Sequence, residues 1–176
     1  MNLRLFPIFA LVLLLSATFG TTGDECFGQD TYAPVDWIQF RGFPVEEPEL
    51  EDFIESDNQR ARFQPGFTIG NDIGPIWLIF DGFVSQPVDF FFETHAITPG
   101  LLWVAGSQNF VTGQLEEIAF DDEAFAVDTV HAIQLTSEHI DTDGFVRSFV
   151  AWRQIGFVFV FPWEVQIDQV GWISAS

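Results

Sequence analysis

Residues 145–173 read FVRSFVAWRQIGFVFVFPWEVQIDQVGWI. Three apolar runs are set apart by a break at Ile155-Gly156 and by Pro162. In the last run Trp163, Val165 and Ile167 alternate with Glu164, Gln166 and Asp168. Successive side chains of a strand point to opposite faces, so this alternation predicts a strand with one apolar face. Past Asp168 the apolar parity moves to Val170 and Trp172. One extra residue in a paired strand has that effect, so the spacing predicts a one-residue bulge. The whole stretch predicts the core of a β-sandwich.

The residues before it follow the same pattern. Residues 35–43 (VDWIQFRGF) and 59–63 (QRARF) alternate. Residues 76–80 (IWLIF) form a continuous apolar run, which predicts a central strand buried on both faces. A turn at Ser85-Gln86-Pro87 leads into a strand at 88–95 (VDFFFETH), and Pro65-Gly66 and Pro99-Gly100 mark further turns. Val111-Thr112-Gly113 predicts a hairpin between 108–110 and 114–120, Asp121-Asp122-Glu123 a loop, and 124–135 another strand. Residues 50–56 (LEDFIES) suit one or two helical turns with Leu50, Phe53 and Ile54 on one face, and the loop at 137–144 has room for another. About nine short strands without sustained helical periodicity predict an all-β fold, an antiparallel β-sandwich of jelly-roll type over residues 35–174.

The first 20 residues have the form of a signal peptide. Arg4 precedes the apolar run FPIFALVLLL at 6–15, and Thr18-Phe19-Gly20 supplies small residues for cleavage. Export is the expectation, with a secreted, extracellular or cell-envelope location and no membrane span after cleavage. Residues 21–34 are polar and acidic and predict a flexible arm. Cys26 is the single cysteine, so it is read as a plain thiol in that arm with no internal disulfide.

Charge narrows the partners. There are 26 acidic residues against 6 basic ones, every one of them Arg, for a net charge of −20. Nucleic-acid backbone and anionic lipid both repel such a chain. Residues of three kinds are candidates for chemistry. Large aromatics with acids and Arg nearby suit stacking on sugar rings; most of the six Trp lie in runs that read as core, and Trp103, next to Pro99-Gly100, is the one expected to be exposed. The carboxylates of Asp121, Asp122 and Glu123, and of Asp141 and Asp143 before Gly144, offer calcium a partial ligand set, and turn chemistry explains Asp-Gly equally well. Arg60 with Arg62, and Arg147 with Arg153, share strand parity and are expected to brace the sheets; Glu164 and Asp168 are the expected partners of Arg147 and Arg153. His95, His131 and His139 are scattered without metal-ligand spacing, and neither a Gly-x-Ser-x-Gly nor a P-loop is present.

The blocks Ser56-Asp57-Asn58-Gln59-Arg60, Gln64-Pro65-Gly66-Phe67, PIWLIF at 75–80, Arg153-Gln154-Ile155-Gly156 and FPWEVQIDQV at 161–170 resemble secreted single-domain β-sandwich proteins of unknown function from planctomycete-type bacteria. The resemblance spans about residues 36–173, and its last block is the most specific. It implies a signal peptide and one jelly-roll or galactose-binding-like domain, and it implies no catalytic residue.

These readings converge on a secreted noncatalytic module that binds an extracellular glycan or contributes to the cell envelope. The alternative is an assembly protein that associates with itself or with envelope proteins through an apolar face or edge. A small polysaccharide hydrolase ranks third. It needs only two facing carboxylates, and no such pair can be named from the sequence.

Overall fold

The computed structural model describes residues 30–54, 60–64, 76–96, 101–123, 129–154 and 164–175. Residues 1–29 lie outside these, with the expected signal peptide, Cys26 and most of the acidic arm. So do the Pro65-Gly66 and Pro99-Gly100 turns, the middle apolar run at 157–161, and Trp163.

Eleven strands are present among the described residues: β1 (Thr31–Tyr32), β2 (Asp36–Arg41), β3 (Phe43–Pro44), β4 (Ala61–Gln64), β5 (Ile76–Phe83), β6 (Val88–Ala96), β7 (Leu101–Asn109), β8 (Gln114–Glu123), β9 (Thr129–Gln134), β10 (Phe145–Gln154) and β11 (Val165–Ser174). Single 3-10 turns at Leu50–Phe53 and Ser137–His139 are the helical elements among the described residues. One sheet has the order β3-β4-β11-β6-β9 with β1 also on β11, and the other has the order β2-β5-β10-β7-β8. Every pairing is antiparallel. Taking β4 to β11 as the eight core strands, the orders β4-β11-β6-β9 and β5-β10-β7-β8 are those of a jelly roll.

Apolar side chains from the two inner faces meet between the sheets. Ile76, Leu78, Phe80, Val150 and Trp152 come from the five-stranded sheet, and Phe63, Phe90, Phe92, Val165, Ile167 and Trp172 from the other. Trp172 joins them most directly. Its indole N–H donates to Ser148 Oγ on β10 at 3.0 Å, and its ring lies over Gly82 of β5. A Cβ at Gly82 would sit 2.3 Å from that ring, so no other residue fits there. Phe53, fully buried on its 3-10 turn, packs against Trp37, Phe63 and Phe80 and closes the open side between the sheets.

The expected bulge is present. Ile167 pairs with Thr94 and Val170 with Phe92, so three steps on β11 match two on β6. On its other side β11 is covered in turn by β4, by the turn at Leu50–Phe53, where Gln169 Nε2 donates to Ile54 O at 3.2 Å, and by β1. The hairpin at 110–113 joins β7 to β8, with Gly113 at φ 74°.

Several expectations are corrected. Residues 76–80 are not buried on both faces: Ile76, Leu78 and Phe80 point into the core, whereas Trp77 and Ile79 are half-buried on the outer side. Among the described residues the outer side of this sheet carries no second layer, so alternation reappears where the sequence shows only apolar residues. Asp121-Asp122-Glu123 is not a loop but the end of β8, paired with Leu101 to Trp103. Thr31 and Tyr32, placed in the flexible arm, form β1. Finally, β10 and β11 are not neighbours; they lie in opposite sheets.

Candidate functional site on the outer face of the five-stranded sheet

The site rests on parity and one bulge. On β2, Trp37 and Gln39 oppose Phe80 and Leu78, the inward residues of β5, so Ile38 is turned outward opposite Ile79. Gln39 pairs with Leu78 and Arg41 with Trp77, leaving Phe40 as an extra residue. The bulge brings Phe40 and Arg41 to the same outer face as Trp77. The Phe40 and Trp77 ring centroids are 6.2 Å apart, and the Arg41 guanidinium carbon is 5.7 Å from the Phe40 centroid. Gly42, at φ 101°, then takes the chain from this sheet to β3 in the other, a backbone conformation that suits glycine.

Phe149 of β10 continues the row. Its ring lies flat against Trp77, centroids 4.9 Å apart and planes 3° from parallel. Although it faces outward it is 0% exposed. Gly106 of β7 leaves it the room, because a Cβ there would come within 2.7 Å of the Phe149 ring. Phe149 is therefore a base and Trp77 the layer above it, with Phe40 at the edge, 62% exposed. Ile38, Phe83 and Phe120 are also exposed apolar side chains of this sheet.

Polar groups flank the row in cancelling pairs. Arg147 Nε and Nη2 donate to Asp81 Oδ1 and Oδ2 at 2.7 and 2.6 Å. That bond holds the Arg147 guanidinium above its ordinary value, against the opposing effect of burial. Arg153 donates to Glu117 of β8.

The outer side of the other sheet is built differently. Arg62 Nε and Nη2 donate to Glu164 Oε1 and Oε2 at 2.7 and 3.0 Å, and Gln166 Nε2 donates to Glu164 Oε1 at 2.9 Å. The bond from Arg62 is the main reason that the Glu164 carboxyl lies below its usual range; burial opposes it and Gln166 assists. Arg60 donates to Gln166 Oε1 at 3.3 Å and lies 4.0 Å from Asp168. An open groove of about 440 Å³ next to this network is lined by Glu46, Glu47, Glu49, Asp52, Arg60 and Arg62.

The residues singled out in the sequence are thus dispersed. Trp103 is not the exposed ring expected: it is 6% exposed, faces inward from β7 and packs against Phe92 and His131. The arginine partners are also rearranged. Glu164 and Asp168 face Arg62 and Arg60, while Arg147 and Arg153 take Asp81 and Glu117, because β10 and β11 belong to different sheets. Asp141 Oδ1 accepts from the N–H of Asp143 and of Phe145 at 2.8 and 2.7 Å, so this carboxylate organises its own turn. Among the described residues no group of three or more His, Cys, Asp or Glu side chains is gathered as metal ligands. Sequence reading missed Phe40, Arg41 and Phe149, and it placed Trp77 in a buried run. Ile38 stands opposite in parity to Trp37, which was a usable signal for an apolar outer face; the bulge at Phe40 had none.

No family model matches the chain, and no curated protein matches it. Among solved structures, the carbohydrate-binding module TmCBM61 in complex with β-1,4-galactotriose is similar at 7% identity and a TM-score of 0.47, covering 81% of this chain and 91% of that one. A structure of CBM4 is similar at 9% identity and a TM-score of 0.42, covering 77% of this chain and 92% of that one.

Proposed function

We propose that the protein is an exported, noncatalytic β-sandwich module that binds carbohydrate on the outer face of its five-stranded sheet. The observation that carries this reading is the row Phe40–Trp77–Phe149 with Arg41 beside it. A sugar ring has an apolar C–H face that suits an aromatic ring, and hydroxyls at its rim that accept from guanidinium donors. A rigid ring stack lowers the ordering cost of binding, since Trp77 is already held flat by Phe149. Export follows from the signal-peptide pattern at 1–20.

The test is retention of the purified chain in native gels cast with soluble polysaccharides, beside its Trp77→Ala variant. Retention by at least one glycan, reduced about tenfold by the substitution, is the expected result. Absence of retention by every glycan, or retention indifferent to Trp77, overturns the reading. Mass spectrometry of the exported chain, with a new N-terminus at Thr21, checks the leader.

A further inference from the structure

Charge on the aromatic face assigns the class of glycan. Five outward residues of β2, β5 and β10 are charged: Arg41, Arg147 and Arg153 against Asp36 and Asp81. Glu117 of β8 is bonded to Arg153. Three of the six arginines of a chain with net charge −20 are therefore gathered around one row of rings. Two of the three are engaged by carboxylates of the same face.

We infer that this face takes an electrically neutral polysaccharide, an inference that rests on the carbohydrate-binding reading above. A glycan bearing uronate or sulfate meets two guanidiniums, Arg147 and Arg153, whose charge is already cancelled, and Arg41 as the one remaining cation of the row, within a chain that repels it as a whole. A glycan bearing ammonium groups is drawn to the acidic chain as a whole, but at the row it gains nothing from Asp81 or Glu117, which are bonded to Arg147 and Arg153, and it meets Arg41 there. A neutral glycan loses nothing in either respect. Its ring faces lie on Phe40 and Trp77, and its hydroxyls take the guanidinium N–H groups that the carboxylates leave over; two of the five on Arg147 are used by Asp81.

The experiment compares a neutral galactan, a polygalacturonate and a chitosan, each against the full chain and its Phe40→Ser variant. The quantity read is the part of retention that the substitution removes. Phe40 is mostly exposed, so the variant keeps the fold; Ile38→Ser serves as a second variant on the same face. The expected result is a Phe40-dependent part confined to the neutral glycan, changing less than about twofold between low and high salt. A Phe40-dependent part with the anionic or cationic glycan overturns the charge assignment and keeps carbohydrate binding. No Phe40-dependent part with any glycan overturns carbohydrate binding at this face. Light scattering that shows a dimer dissolved by Phe40→Ser assigns the face to a second copy of the chain and overturns both.

Discussion

The two outer faces of the sandwich solve the same physical problem in opposite ways. Each is one side of an antiparallel sheet with no further layer upon it among the described residues. The face around β4 and β11 is closed by polar bonds: Arg62 forks onto Glu164, and Gln166 links Glu164 to Arg60. The face around β2, β5 and β10 is closed by rings, with Phe149 sealed beneath Trp77 and Phe40 left open. The first bonds its arginines to Glu164, Gln166 and Asp168, beside a groove rich in carboxylates. The second exposes apolar area next to paired charges and Arg41, a combination that suits an interaction surface. The difference separates side chains that hold a face together from side chains that the fold leaves available.

The sharpest way to break this contrast is to remove its base. Phe149→Ala is expected to cost about 3–5 kcal/mol, as for a core phenylalanine, although Phe149 points outward. Urea denaturation measures it, and a cost below about 1 kcal/mol would show that Phe149 is not the support described. Next in size is Arg147→Met, which strips Asp81, 8% exposed, of its bidentate partner. A loss of about 2 kcal/mol is expected, in the range for a hydrogen bond to a charged group.

Glu164→Gln on the opposite face is expected to cost only about 1 kcal/mol, because the Arg62 side chain is 41% exposed and its charge is screened. This pair also has a pH signature. The folded-state pKa of Glu164 is depressed, so its contribution is complete above the unfolded glutamate value of about 4.3 and fades as pH falls from there through the folded value. Stability of the wild-type chain and of Glu164→Gln should therefore converge with falling pH in that acid range; curves that stay parallel would remove Glu164 from the account.

The smallest expected effect is the most diagnostic. Phe40→Ser should shift stability by no more than about 0.5 kcal/mol while removing glycan retention. A large destabilisation would make Phe40 a structural residue and erase the distinction between the two faces.

How much of this was legible in the sequence depends on range. The bulge in β11 could be read because both parities lie within one strand, at Ile167 and Val170. The hairpin at 110–113 could be read because its turn residues are contiguous. Trp103 was misplaced because proximity to a turn says nothing about which face a strand residue takes; facing inward beside Phe92 settled that. Glu164 and Asp168 were assigned to the wrong arginines because consecutive strands were taken as neighbours, and a jelly roll sends β10 and β11 to opposite sheets.

By itself the sequence determined the all-β class, the parity and bulge of the last strand and the scarcity of positive charge, since alternation within one strand is a property of the local backbone and composition needs no structure. Only the tertiary structure decided which arginine meets which carboxylate and which aromatic rings stay outside. Those depend on strand order, and strand order is set by pairings between residues far apart in the chain, such as Arg62 with Gln166 and Trp77 with Ala151. No local pattern encodes them.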